Sequence, residues 1–153
     1  MKIIKAKTEN AEEIAKLRKD TFKNINAKDY TKEHIISFNK ENTLKKTLER
    51  TKNRDMFCLL DENNKILGVI DLKNNKIGGF FIHHKHIKKG YGRKLLNFIE
   101  NYARKKGIRK VILYSTKYGY PFYLKNNYKL IKKGFWVVNN LRVRNYLMEK
   151  KFN

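Results

Sequence analysis

The sequence is poor in the residues and segments that mark secreted, disulfide-linked or membrane-bound proteins. Among 153 residues there is one cysteine, Cys58, and one proline, Pro121. A single cysteine cannot form a disulfide within the chain, which excludes a disulfide-stabilised scaffold. No apolar run approaches the roughly 18 residues of a membrane span, and residues 1–8 lack the apolar core of a signal peptide. We therefore expect a cytoplasmic protein with no membrane attachment.

Acidic residues are also scarce. Only 14 Asp and Glu stand against 37 Lys and Arg, which gives a formal net charge of +23. Such a charge favours anionic ligands and leaves nonspecific nucleic-acid binding open. The lysines are spread along the chain, however, and this favours a general compositional bias over a dedicated basic patch. The resulting field attracts an anionic ligand in either case.

Hydrophobic residues make up 41% of the chain and aromatic residues 12%, enough to form a packed core in one domain over residues 1–153. Alternating apolar residues predict a first strand at Lys2–Lys7, and Thr8 precedes a helix whose buried side includes Ala11, Ile14, Leu17 and Phe22. A second helical region, either continuous or interrupted, runs from about Thr31 to Lys52, with Ile35, Phe38, Leu44 and Leu48 as its apolar positions.

The pattern then changes to strands. "DMFCLL", "KILGVIDL" and "KIGGFFIH" are separated by the turn signals "DENN" and "NN". A loop leads to a helix from about Gly92 to Lys106, then to the apolar strand "KVILYS", a short helix in "YGYPFYLKNN" and a hairpin around Asn139 and Asn140. This order predicts an α/β domain with a mixed, mostly antiparallel sheet flanked by helices and one β-loop-α-β crossover.

The loop before the long helix has the composition of an anion site. In "IKKGYG", Gly90 and Gly92 allow sharp turns and close approach of main-chain N–H groups to a ligand. The helix that follows adds unpaired N–H donors and the positive end of its dipole, an arrangement that most often binds phosphate. A Walker loop is excluded because no Gly-Lys-Ser/Thr follows. A dinucleotide fingerprint is excluded because Leu95 occupies the third glycine position and the next strand ends without a carboxylate.

Two segments resemble one protein family. "IKKGYG", after the strand "GGFFIHH", is similar to the R/Q-x-x-G-x-G/A motif of the GNAT (Gcn5-related) N-acetyltransferases. "YGYPFYLKNNYKL" is similar to the A-x-x-F-Y-x-x-x-G-F/Y segment of the same family, and the element order matches along nearly the whole chain. "DYTKEHIISF" and "NYLMEK" further resemble a subgroup of small bacterial members. The resemblance implies a GNAT-like acyl-CoA N-acyltransferase fold and acetyl-CoA as co-substrate.

The resemblance also implies roles for individual residues. The backbone around Phe81 and Ile82 would pair with the pantetheine arm, and Ser115 or Thr116 would contact it from the other side. Tyr123 would be the general acid that protonates the departing thiolate, although an aromatic residue here also suits simple packing. The pyrophosphate would lie on the loop formed by Ile87, Lys88, Lys89, Gly90, Tyr91, Gly92 and Arg93.

Several positions depart from the family pattern. Ile87 stands where the family has Arg or Gln, so it offers only its main-chain N–H; Asn127 replaces a glycine and Gly119 an alanine. No glutamate in the strand before the loop can act as the base that deprotonates the amine. His83, His84, His86, Asp71, Tyr30 and a chain of water molecules all remain open for that role. We expect no metal site.

Gly78 and Gly79 are unusual inside a strand. They mark a β-bulge or leave room for the substrate and the acetyl group, and a bulge is the favoured interpretation.

The resulting hypothesis is an N-acetyltransferase that moves the acetyl group of acetyl-CoA to a primary amine by direct attack in a ternary complex. The positive charge argues against polycationic acceptors and leaves less charged small amines or protein amines open. The alternative is a basic nucleic-acid-binding, ribosome-binding or CoA-sensing module that keeps the fold without turnover. Either a monomer or a homodimer is compatible with the sequence.

Overall fold

The computed structural model describes all residues from 1 to 153. Its strands are β1 (Lys2–Lys5), β2 (Asp55–Leu60), β3 (Ile66–Lys73), β4 (Lys76–Ile82), β5 (Lys110–Ser115), β6 (Lys129–Val138) and β7 (Leu141–Lys151). Its helices are α1 (Ala11–Thr21), α2 (Lys32–Glu41), α3 (Leu44–Asn53), α4 (Tyr91–Lys105) and α5 (Tyr120–Lys125). The predicted order of elements is confirmed. No helix has both the length and the apolar character needed to span a bilayer.

The second helical region is interrupted, and local capping explains where. Thr31 and Thr43 each adopt an extended conformation and accept a hydrogen bond from the main-chain N–H three residues later. Such caps satisfy donors that a helix start leaves free. Leu44, one of the apolar positions of this region, lies in the first turn of α3 because of the second cap, and it is 47% exposed.

The seven strands form one sheet in the order β1-β2-β3-β4-β5-β7-β6. All neighbouring strands are antiparallel except β4 and β5, so the predicted mixed, mostly antiparallel sheet is confirmed. The final hairpin turns at Asn139 and Asn140, both with positive φ, as its sequence predicts. Asparagine tolerates this left-handed conformation better than most residues.

The sheet is covered on both faces. One face packs a core of fifteen buried residues against α4, among them Leu95, Leu96 and Ile99. The other face packs Ile14 and Leu17 of α1 against β2 and β3 in a core that also contains Cys58. The thiol of Cys58 is inaccessible, and burial raises its pKa to about 12. Cys58 therefore acts as a small buried apolar residue of this core.

Two irregularities of the sheet meet at β4. The parallel pair β4–β5 is joined in register only at Lys76 and Ile112, so the two strands separate towards their carboxyl ends. On its other side β4 has a register shift against β3 between Val69 and Asp71. Gly79 lies opposite this shift with φ of +52°. The predicted bulge is therefore confirmed, and the separation of the strands creates an opening beside it.

Candidate active site

The loop between β4 and α4 presents a continuous row of free donors. From Ile87 to Arg93, no main-chain N–H group donates a hydrogen bond of good geometry to another part of the protein. The first inward hydrogen bond is that of Lys94 to the carbonyl of Gly90, at 3.0 Å. These N–H groups lie at the positive end of a helix of 15 residues, which is the arrangement that an anionic ligand requires.

Left-handed backbone at two positions shapes this loop. Lys88 has φ of +60° and Gly90 has φ of +82°. Gly90 is the N-cap residue directly before α4, and a Cβ atom there would meet no other atom within 4 Å. A side chain at Gly90 would therefore be disfavoured by its backbone conformation rather than by lack of space. The side chains of Lys89 and Arg93 are exposed beside the free donors.

Tyr123 of α5 lies under this loop. The ring of its neighbour Phe122 would be 3.5 Å from a Cβ atom at Gly92, and the Tyr123 ring itself is 6.3 Å from that of Phe80 on β4. Tyr123 is 9% exposed, and burial raises its pKa above the usual value. Its hydroxyl has no protein partner but is not among the fully enclosed polar atoms, so it contacts accessible space.

Ser115 and Thr116 lie beside Tyr123 but have local partners. The Ser115 hydroxyl donates to the carbonyl of Thr116 at 2.8 Å, and the Thr116 hydroxyl accepts from the N–H of Gly119 at 3.2 Å. Gly119 keeps the region compact, since a Cβ there would be 3.0 Å from the Ser115 hydroxyl and 3.3 Å from the Tyr123 ring. These hydroxyls stabilise the turn into α5.

Phe81 and Ile82 lie at the end of β4 where it has separated from β5. Their side chains point to opposite faces, with Ile82 packed against the α4 core and Phe81 against the α1 core. The carbonyl of Ile82 accepts a hydrogen bond from the Thr21 hydroxyl at 3.2 Å. The remaining polar backbone of this segment borders the opening between the strands. Thus β4, the loop, the end of β5 and α5 bring the predicted site residues to one end of the sheet.

The candidates for the base differ in their surroundings. His83 is half-buried, its ring accepts from the Lys85 N–H, and its pKa is lowered mainly by loss of solvent. The pKa of Tyr30 is raised by burial and by nearby Asp29, which makes it a weaker candidate. Asp71 is fully buried, and both its oxygens are held by arginines. No group of three or more His, Cys, Asp or Glu side chains is arranged to hold a metal.

The sequence reasoning missed the arginine group around Asp71, formed by Arg18, Arg50 and Arg54. Arg50 donates from Nε to one Asp71 oxygen at 2.6 Å, Arg54 donates to the other, and Arg18 lies 3.5 Å away. A signal was present in the sequence. Arg18 occupies the buried side of α1, four residues after Ile14, in a chain whose usual cation is lysine.

A polar cavity of about 310 Å³ adjoins the loop at Arg93. It lies between the outward side of α4, the end of α5 and β7. Glu100 at its base is buried and binds the Tyr128 hydroxyl at 2.9 Å and the Lys150 ammonium at 2.8 Å. The lining has no hydrophobic residue and consists of Arg93, Asn97, Glu100, Asn101, Arg104, Lys125, Asn126, Asn127 and Lys150.

The chain thus forms a seven-stranded α/β sheet whose central strands β4 and β5 separate, with a row of free main-chain N–H groups after β4. The model of the acetyltransferase (GNAT) domain family matches residues 26–150. The chain therefore belongs to the GNAT acetyltransferase family and has the GNAT fold, as the sequence motifs predicted. No curated protein sequence matches the chain significantly.

Solved structures agree on the fold. A GCN5-related N-acetyltransferase from Rhodopseudomonas palustris superposes with a TM-score of 0.92 at 17% identity, covering 99% of this chain and 95% of that one. The PaiA N-acetyltransferase from Thermoplasma acidophilum, in complex with coenzyme A, gives a TM-score of 0.84 at 22% identity over 99% and 98%. An aminoglycoside 6′-N-acetyltransferase complexed with coenzyme A gives 0.73 at 14% identity over 99% and 97%.

Proposed function

We propose that this protein transfers the acetyl group of acetyl-CoA to a primary amine by direct attack in a ternary complex. The observation that carries the proposal is the row of seven unpaired main-chain N–H groups, Ile87 to Arg93, at the start of α4. Free main-chain N–H groups at the start of a helix can bind a diphosphate directly, because they already point towards the ligand. Coenzyme A bound to two GNAT proteins of the same fold supports acetyl-CoA as the ligand.

The rest of the co-substrate has a matching surface on each side of the loop. On one side, the opening between β4 and β5 offers polar backbone at Phe81 and Ile82 to the amides of the pantetheine arm. On the other side, the polar cavity next to Arg93 suits the phosphate of the adenosine end, since Arg104, Lys125 and Lys150 also line it. Ser115 and Thr116 contribute by fixing the start of α5.

In the chemical step, the amine nitrogen attacks the thioester carbonyl carbon, a C–N bond forms, and the C–S bond breaks. The sulfur leaves as a thiolate, and we assign the proton that it takes up to the Tyr123 hydroxyl. Burial raises the pKa of this phenol, so it holds its proton at neutral pH. The proton lost by the amine passes to a base that we leave unassigned.

Calorimetric titration with coenzyme A tests the proposal most directly. We expect Gly90→Val to weaken binding because a β-branched residue cannot adopt φ of +82° without strain and so displaces the donors on either side. Gly107→Val is the matched control. Gly107 has φ of +77°, a Cβ atom there would also meet no other atom within 4 Å, and the residue follows the opposite end of α4. Its thermal stability should fall to a similar extent while its affinity stays near that of the wild type.

Equal affinity of the two variants for coenzyme A, or absence of binding by the wild type, would contradict the assignment of the loop. With binding established, release of free coenzyme A in the presence of a library of amines identifies the acceptor. Saturable binding without release for any amine would instead favour a CoA-sensing module.

A further inference from the structure

The arginine group around Asp71 holds more positive charge than its acid can neutralise. Three guanidinium groups surround one carboxylate, which leaves an excess of two positive charges. Three of the eight arginines of the chain thus meet at one carboxylate. Buried charges normally occur in balanced pairs, because an unmatched charge is costly to remove from water. An imbalance of this kind favours the binding of a further anion.

The group also has an unused donor. Arg18 is 2% exposed, and its Nε atom has no hydrogen-bond partner. Burial and the neighbouring Arg50 lower its pKa to about 10, so the side chain remains charged at neutral pH. An enclosed guanidinium N–H without an acceptor is costly in a folded protein, and the buried charge of Arg18 adds to the positive potential at the more exposed Arg50.

The group is open to solvent on one side. The side chains of Arg18, Arg54 and Arg50 are 3%, 14% and 35% exposed, so Arg50 forms the outer wall. Gly78 and Gly79 of the β4 bulge form the floor and add no side chain. A Cβ at Gly78 would be 3.0 Å from the nearest guanidinium nitrogens of Arg50 and Arg54. The glycines therefore leave the guanidinium groups in contact with the backbone of the strand.

The arginine group lies next to the strand that borders the proposed active site. Gly79 precedes Ile82 on β4 by three residues, or about 10 Å of extended strand. If the proposed function holds, a pantetheine arm that starts at the loop and runs beside Phe81 and Ile82 directs its thioester along β4 towards Gly79. The arginines then lie on the α1 and α3 side of the strand, ahead of the thioester, on the path of an incoming amine.

We propose that the excess positive charge of Arg18, Arg50 and Arg54 binds a carboxylate of the acceptor through the accessible Arg50, and that the substrate is therefore an amine that also carries a carboxylate. The planar guanidinium fork suits a carboxylate in two-point contact. In this arrangement Asp71 holds the three arginines in place, and Arg50 makes the accessible contact. A polycationic amine would be repelled from the same position.

Matched pairs of amines test this assignment. Amino acids and ω-amino acids are compared with their carboxamides, in which the amine is kept and the negative charge is removed. We expect each acid to be acetylated with a kcat/KM at least about tenfold above that of its amide. Arg50→Gln should raise KM for the acids by about tenfold and leave the amides and the affinity for coenzyme A unchanged. Arg50→Lys, which keeps the charge without the fork, should recover part of the loss.

Arg142→Gln is the control for net charge, because Arg142 is exposed on the β6–β7 hairpin with its guanidinium over Phe135. Equal rates for acids and amides would overturn the proposal, and so would a loss in Arg50→Gln that is the same for both. A preference for amines with a phosphate group over those with a carboxylate would also overturn the carboxylate assignment.

A second measurement does not depend on turnover. The Nε–Hε NMR signals of Arg18 and Arg50 are followed during titration with the same pairs in the presence of coenzyme A. Shifts produced by the acids and not by the amides support the carboxylate site even if no amine in the panel is acetylated. Absence of any shift up to tens of millimolar acid overturns the carboxylate site. Failure of coenzyme A to bind in calorimetry would instead contradict only the proposed function.

Discussion

Burial determines what a single tyrosine can do in this site. Tyr123 is enclosed by Phe80, Phe122 and Tyr128, and its pKa is raised because the phenolate would lose its hydration. Because its pKa is raised, the phenol keeps its proton at neutral pH and is in the protonated form that a proton donor needs. The same burial makes Tyr123 a packing residue, so packing and the proposed proton donation would use the same position.

The substitution Tyr123→Phe separates packing from the proposed proton donation. We expect kcat to fall about a hundredfold, because the proton donor is lost, with little change in the affinity for coenzyme A. Tyr120→Phe is the control, since Tyr120 belongs to the same helix but packs on Tyr146. The pKa of Tyr123 lies above its usual value, so the wild-type rate should show no loss from phenol ionisation up to at least about pH 9. An unchanged kcat in Tyr123→Phe would remove the general-acid assignment.

At the scale of the element, β4 carries most of the functional geometry. Its bulge at Gly79 bends the strand, its separation from β5 creates the opening, and its carboxyl end leads into the loop of free amides. Helix α1 is fastened to this strand by Arg18 at the carbonyl of Gly79 and by Thr21 at the carbonyl of Ile82. The strand and the helix must therefore keep their relative position for the site to exist.

Gly79→Ala tests this dependence. Left-handed backbone costs an L-residue about 1–2 kcal/mol, and a Cβ at Gly79 would also collide with Arg18 and Asp71. We expect a loss of about 3 kcal/mol in the free energy of unfolding, measured by urea titration. Gly134→Ala in β6 is the control, because its Cβ would meet only Asn145 at an ordinary 3.5 Å. A loss no larger than that of the control would show that the bulge is not constrained as described.

At the scale of the whole molecule, the net charge of +23 acts on any anionic ligand. Coenzyme A carries several negative charges, and its attraction to the basic surface is screened by salt over a Debye length of about 10 Å at 0.1 M. The same charge disfavours polycationic acceptors, although one protein of the same fold is an aminoglycoside acetyltransferase. The net positive charge and the arginine group around Asp71 therefore both disfavour polycationic acceptors.

Salt dependence measures this effect. We expect the affinity for coenzyme A to fall by roughly tenfold between 0.05 and 0.5 M salt, because the attraction is long-range. Pantetheine, which lacks the phosphates, is the control and should bind weakly with little dependence on salt. A salt-independent affinity for coenzyme A would mean that the charge is compositional and has no part in binding.

The sequence determined the order of elements, the family and the position of the glycine loop before α4, because each depends on local patterns. Apolar periodicity predicts helices and strands, and Gly90 in "IKKGYG" favours a turn because glycine readily adopts positive φ. The exposure of Leu44 escaped prediction because it depends on where α3 begins relative to the sheet. Tertiary structure alone decided that Arg18, Arg50 and Arg54 meet at Asp71. Arg18 belongs to α1, Arg50 to α3 and Asp71 to β3, and Arg54 directly follows α3. Arg18 and Asp71 are 53 positions apart, and only the packing of α1 and α3 against β3 and β4 brings these charges within hydrogen-bond distance.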